Sequence, residues 1–390
     1  METKYKITYG GWYQRTTLHL SEIYDLFSHG KSSLNLAQEK ISEFYNKFQF
    51  SSVSREAGYL EFVKVKVKNG IEIRYYEDGL YILEIESDNV GESKKLLEQY
   101  YSETISPAIA YIFSLGAPTP KVLANIKTIH PVVVSVTVDN LNEFKIDEKC
   151  FGEIYSTISS EDIIVHKTPQ SIFIVSKPNN EKIVAELSEM QIFFREFKDQ
   201  LEKYLNIHRK IWEEISDIKE KKLLKGSEIE PIRAKLDSYQ KTISLINNRI
   251  NQMGSYIRTR AGISKSSGVE AHLQKLFDFK FEVLTDTLDY IKEIWKMTSD
   301  YLSGTIANIV EIKNQATTRG IQSLQVITSI GVVSGVIGYF AKTEWPKFTE
   351  TGAIYFIIII AVTWLINYAI SDLYKNKKYT LKFNDRITDV

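Results

Sequence analysis

The chain has 390 residues, with 49 basic against 49 acidic side chains and a formal net charge of +0. This balance gives no global electrostatic pull toward nucleic acid, and none is predicted as a partner. A single cysteine, Cys150, excludes a disulfide framework within one chain and reads as a small buried residue. The 5 Trp, 23 Tyr and 19 Phe suffice for sizeable cores, and the length allows about two folded units.

Residues 1–182 read as an α+β domain. Residues 1–20 combine charge with alternation, so a secretory signal is not expected. Alternation of apolar and polar residues predicts strands at 4–9, 59–67, 71–76, 80–86, 131–138, 162–166 and 171–176. Helices are expected from Ser21, over 35–48, and over 92–115 with a break at Pro107. The segment Gly10-Gly11-Trp12-Tyr13-Gln14-Arg15-Thr16-Thr17 gathers stacking rings, a cation and hydroxyls. Trp12, Tyr13 and Arg15 are therefore candidate ligand contacts, an edge strand with packed aromatics being the other reading.

Residues 183–263 become helical and charged, with Lys225, Gly226 and Ser227 marking the turn of an antiparallel hairpin. Arg249, Arg258 and Arg260, near Tyr256, could meet phosphates or form the exposed face of the second helix. After a break at Gly262 and 264–268, residues 264–319 form a stalk. Its apolar stripe, which includes Leu273, Phe277, Phe281, Leu284, Leu288, Ile291, Trp295, Leu302, Ile309 and Ile312, has near-heptad spacing. It predicts one unbroken helix and an association surface between copies.

Residues 320–341 and 351–371 are uncharged and apolar, each with roughly the 20 residues a membrane span needs. They predict two transmembrane helices joined by a short external loop at 342–350, followed by a tail at 372–390. Lys313 and Arg319 before the first span and Lys375, Lys377, Lys378 and Lys382 after the second place both termini in the cytoplasm of a multi-pass protein of an inner or plasma membrane, with lipid as a partner. On the first span, Gln322, Gln325, Ser329, Val332, Val336 and Phe340 share one helical face. This is a candidate pore lining, wet at one end and gated by apolar side chains at the other. Gly331, Gly335 and Gly338 lie on a separate face suited to close helix packing.

This order of parts resembles the CorA family of divalent-cation channels and transporters: an α/β domain, a helical hairpin, a stalk helix, a short loop and a second span. The resemblance covers the layout of nearly the whole chain. It implies a homopentamer that passes Mg²⁺ or another divalent cation and is gated by its cytosolic domain, with a cytosolic metal site for which Glu282, Asp286, Asp289 and Glu293 are candidates. The family's Gly-Met-Asn hallmark is absent. The corresponding stretch, Gly338-Tyr339-Phe340-Ala341-Lys342-Thr343-Glu344-Trp345-Pro346, puts Lys342 and Glu344 at the external mouth. Loss of that motif also resembles the CorA-like effectors of type III CRISPR systems, which implies a small nucleotide activator.

No GxxxxGK[ST], GxSxG, HExxH or CxxC occurs, and His19, His29, His130, His166, His208 and His272 are dispersed. Catalysis and a covalent cofactor are not expected. A tethered binding protein that conducts nothing is the remaining class.

Overall fold

The computed structural model describes residues 4–14, 19–116, 131–221, 223–340 and 350–380. It forms two compact units: Met1–Ile207 with Leu245–Ile294, and His208–Ser244 with Trp295–Val390.

The first unit is built on a nine-stranded sheet. Its strands are β1 (Tyr5–Trp12), β2 (Phe50–Ala57), β3 (Glu61–Val67), β4 (Glu72–Tyr76), β5 (Leu80–Ser87), β6 (Val132–Thr137), β7 (Ser156–Ser159), β8 (Ile163–Lys167) and β9 (Ser171–Ser176). The spatial order is β2-β3-β4-β5-β1-β6-β9-β8-β7. Among the described strands only β6 and β9 pair in parallel. Helices α1 (Leu20–His29), α2 (Gln38–Phe48), α3 (Val90–Tyr100) and α4 (Ser106–Gly116) supply much of the core packed with the sheet. A single π-helical turn, Tyr101–Ile105, joins α3 to α4 and absorbs the break expected at Pro107, which is tolerated in the first turn of α4. Gly30 ends α1 in the left-handed region at φ 60°, its N–H closing on Leu26 O.

Strand periodicity divides the residues between the faces. Ile7, Val63, Val65, Ile73, Tyr75 and Leu83 join the core with α1–α4. Their neighbours Lys6, Thr8, Arg74, Tyr76 and Glu84 form the polar contacts described below. Strands β2 and β7 were not expected from the sequence: Phe50–Ala57 shows the burial of an outer strand, with one partner only. Between β6 and β7 a single-turn helix, α5 (Glu148–Phe151), carries Cys150. That residue is exposed rather than buried, and its thiol donates to Asp147 Oδ2 at 3.1 Å.

The long helices are α6 (Glu181–Glu220), α7 (Gly226–Ser266), α9 (Phe281–Phe340) and α10 (Glu350–Asn376), with the short α8 (Glu270–Phe277) between α7 and α9. Gly262 does not break α7, since one glycine costs a helix only about 1 kcal/mol. The stalk, expected as one helix, is broken instead between α8 and α9. Asp278 takes φ 56°, and the bonds Asp278 N to Gln274 O and Phe279 N to Leu273 O close a Schellman motif.

The apolar stripe is not an association surface, because the chain buries it itself. In the first unit Leu273, Phe277, Leu284, Leu288 and Ile291 are core residues, and Phe194 of α6 stacks on Phe279 with ring centroids 4.6 Å apart. In the second unit Trp295, Leu302, Ile309 and Ile312 are buried with Ile211, Ile215, Ile218, Ile229 and Leu236. Trp212 stacks on Tyr301 at 4.4 Å, and Lys313 pairs with Glu230 at 2.7 Å. The hairpin turn is a short strand, β10 (Leu223–Lys225), paired antiparallel with β11 (Lys378–Thr380), which follows α10.

The two predicted membrane spans are overturned. Among the described residues no helix is long and apolar enough to cross a membrane. A span needs about 20 successive apolar positions. In α9 the relevant stretch belongs to a 60-residue helix that exposes Gln322, Gln325, Thr328 and Ser329. The transmembrane fold class, the multi-pass membrane location and the membrane keywords are corrected accordingly. In α10, Ile354, Ile357, Ile358, Ile360, Val362, Trp364 and Leu365 are nevertheless exposed.

Trp295 is fully buried. Replacing it by Ala is expected to destabilise the second unit by about 3–5 kcal/mol in denaturant unfolding, through the cavity it leaves.

Candidate functional site

The alternation that sends Ile73 and Tyr75 of β4 into the core turns Arg74 and Tyr76 to the opposite face. Asp78 follows in the β4–β5 turn, which Gly79 completes at φ 88°. Its carboxylate accepts from Leu80 N at 3.1 Å. Its backbone carbonyl accepts from Trp12 Nε1 at 2.8 Å.

Arg260 of α7 reaches Asp78 through two parallel bonds, Nε to Oδ2 at 2.6 Å and Nη2 to Oδ1 at 2.9 Å. The guanidinium lies 5.1 Å from the Tyr76 ring centroid. Glu189 of α6 accepts from Arg74 Nη1 at 2.6 Å and from the Tyr76 hydroxyl at 2.7 Å. Its other oxygen is 3.9 Å from Arg260 Nη1. Arg74 Nη2 also meets Glu84 of β5 at 2.8 Å, and Lys6 of β1 pairs with the same carboxylate at 3.0 Å. Asp78, Glu84, Glu189 and Arg260 are each less than a tenth exposed. Burial works against the charge on Arg74 and on Arg260, yet Glu189 beside the first and Asp78 beside the second raise both pKa values. Burial, and then the charge of Glu189, push the Tyr76 phenol well up, so it serves as a neutral donor.

A cavity of about 400 Å³ opens beside this network. Gly58, Tyr59 and Leu60 of the β2–β3 turn and Phe62 of β3 form one wall; Arg74, Tyr76, Lys182, Glu186, Glu189, Arg260 and Ile263 form the rest. Tyr59 is half exposed, and Phe62 packs against Tyr76 with ring centroids 5.2 Å apart. Arg74 Nε is buried and has no hydrogen-bond partner among the described residues. Burial, then the nearby Glu189 charge, raise the pKa of Glu186 from its ordinary value. Cationic donors and aromatic rings thus face one cavity, a combination suited to an anionic ligand. A second cavity, of about 900 Å³, is lined by Lys6, Thr8, Glu84, Glu86, Phe144 and Glu181 among others.

The residues singled out in the sequence are mostly elsewhere. Trp12 stacks on Phe197 at 5.4 Å. Tyr13 packs on Phe113 at 5.8 Å and bonds the Tyr101 hydroxyl at 2.7 Å. These rings are packed rather than a ligand surface, but β1 is not the expected edge strand: it lies between β5 and β6. Gly10 is needed where it stands, because a Cβ there would lie 2.6 Å from Tyr81 O. Arg15 lies outside the described residues. Arg249 is buried, and burial lowers its pKa; Arg258 is exposed; Arg260 alone joins the cavity, already paired to Asp78.

Glu282, Asp286, Asp289 and Glu293 are exposed along α9, and Asp289 pairs with Lys292 at 2.8 Å. No group of three or more His, Cys, Asp or Glu among the described residues is placed to hold a metal. Gln322, Gln325, Ser329 and Val332 are exposed, and a Cβ at Gly331 or Gly335 would meet nothing within 4 Å. The side chains of Val336, Gly338 and Phe340, and the residues Lys342 and Glu344, fall outside the described set.

Sequence reasoning missed Asp78, Arg74, Tyr76, Glu186 and Glu189. One signal was readable: Glu186 and Glu189 interrupt an apolar helical run, Val184, Leu187, Met190, Ile192 and Phe193, where an ionic side chain needs a partner.

Asp78→Ala is expected to destabilise the protein by about 3–5 kcal/mol, since it leaves the Arg260 charge buried and unpaired, whereas Asp78→Ala with Arg260→Met should recover part of that loss. Denaturant unfolding of both variants measures it. The raised Glu186 pKa means that the folded state binds more protons than the unfolded one. Its contribution to stability is present below the unfolded carboxylate pKa and is lost as pH rises through the folded value. Glu186→Gln should flatten that part of the stability profile. No protein-family model matches the chain, and comparison with curated protein sequences gives no match.

Proposed function

We propose that this chain is a homo-oligomeric, nucleotide-responsive binding protein that performs no catalysis. The observation that carries the reading is the cavity of about 400 Å³ in the first unit, where Arg74, Lys182 and Arg260 stand among Tyr59, Phe62 and Tyr76. Cations recognise phosphate and rings stack on a base.

Self-association is supported by α10. Among its described residues, Ile354, Ile357, Ile358, Ile360, Val362, Trp364 and Leu365 are exposed apolar side chains, and clustered exposed apolar surface marks interaction sites. Every copy carries the same surface, and symmetric pairing of identical patches is the commonest way to cover one. A stable interface takes about 800 Å² from each partner, within reach of a 27-residue helix.

Calorimetry with AMP and cyclic AMP tests the ligand, and Arg74→Gln should weaken binding about tenfold or more, the loss of one charge-assisted bond. No binding by the native chain overturns the reading. Light scattering tests the assembly: a mass above one chain is expected, reduced by Ile358→Lys with Trp364→Lys. A monomeric native chain overturns self-association, as does a surface that takes up lipid vesicles instead of copies. Ion flux with and without nucleotide separates this reading from cation passage, and observed flux overturns its non-conducting character.

A further inference from the structure

Glu186 and Glu189 lie one helical turn apart on α6 and line the same cavity, but their surroundings differ. Glu189 is spoken for by Arg74 and the Tyr76 hydroxyl, at 2.6 and 2.7 Å. Glu186 has no hydrogen bond or ion pair within these distances among the described residues, and it is only partly exposed. The groups that face it are Arg74 and Tyr76 from β4, Lys182 and Glu189 from α6, Arg260 from α7 and Tyr59 from the β2–β3 turn.

The charges explain what an anion would do there. Lys6, Arg74, Lys182 and Arg260 balance Asp78, Glu84, Glu186 and Glu189 when all are ionised. An incoming anion then adds an unmatched negative charge next to a carboxylate held away from water, and like charges at short range disfavour ionisation. Converting Glu186 to its acid removes the excess and turns an acceptor into a donor.

We infer that Glu186 is a specificity-determining residue of this cavity: it enters as the carboxylic acid, donates a hydrogen bond to the anionic ligand beside Arg74, and so couples ligand binding to uptake of a proton. The inference rests on the nucleotide-binding reading and adds the ionic form in which the cavity accepts its ligand. The proton comes from solvent, adds to one Glu186 carboxylate oxygen and returns when the ligand leaves. The burial that raises the Glu186 pKa favours this uptake. The cavity would then favour acceptors such as a phosphodiester over cations or neutral donors.

Cyclic AMP is a suitable probe, because its phosphodiester keeps one fixed charge across the range from pH 5 to 8. Titration calorimetry in buffers of different ionisation heat counts the protons taken up. The native protein is expected to take up as much as about one proton, and its affinity to fall by up to about tenfold per pH unit above the Glu186 pKa. Glu186→Gln, close in shape and permanently neutral, should bind with no proton uptake and a flat pH profile; Glu186→Ala should also be flat but weaker, for want of the donor. Thermal melts confirm that the variants fold. Binding by the native protein without proton uptake, or a pH dependence that survives in Glu186→Gln, overturns this inference and leaves the nucleotide reading standing. Absence of binding across the whole pH range overturns both.

Discussion

The first unit depends on the paired bonds between Asp78 and Arg260. A β-turn carboxylate and a helix guanidinium, both withdrawn from water, meet at 2.6 and 2.9 Å. Neither could be buried alone, because an unpaired interior charge costs several kcal/mol even after relaxation. The pair therefore fixes α7 against the turn after β4. From there the constraint spreads: Arg260 approaches Glu189 on α6, Glu189 holds Arg74 and Tyr76 on β4, and Arg74 meets Glu84 on β5. One connected set of charges thus specifies how two long helices lie on the sheet.

The same constraint produces the cavity. Side chains committed to buried charge pairs cannot rotate away to fill space, so a volume of about 400 Å³ is left next to them, walled by the β2–β3 turn. Functional pockets commonly combine a mostly apolar wall with a few fixed polar groups. Here Tyr59 and Phe62 supply the first, Arg74 and Glu186 the second. Arg74 and Arg260 are held charged by their partners, which raise both pKa values, while burial raises the pKa of Glu186.

Several features were legible from local pattern. The alternation through residues 71–76 and 80–86 marked the central strands, and the stripe from Leu273 to Ile312 marked residues that must be buried. What the stripe packs against was not legible. Near-heptad spacing says that an apolar face exists, and it is equally consistent with a neighbouring copy and with helices of the same chain. The α6–α7 hairpin covers it here, as the Trp212–Tyr301 stack and the Lys313–Glu230 pair record. The stalk break at Asp278 was missed because nothing in the residue type demands φ 56°; the Schellman hydrogen bonds do. The aromatic run at Trp12 and Tyr13 looked like a ligand platform, but aromatic rings fill cores and sites alike, and these two fill a core.

By itself the sequence determined the α+β character of the first part, the presence of long helices after it, and a balanced surface charge, because these follow from local periodicity and composition. Tertiary structure alone decided which charges are buried together. Asp78 and Arg260 are 182 positions apart, and Arg74 and Glu189 are 115 apart. No spacing rule links such residues. It also decided that the apolar stretches near the end of the chain are read as one part of a 60-residue helix and one 27-residue helix rather than two membrane spans. The physical reason is the same in both cases: hydrophobicity and charge say what a residue must find, whereas only the packed chain says what it found.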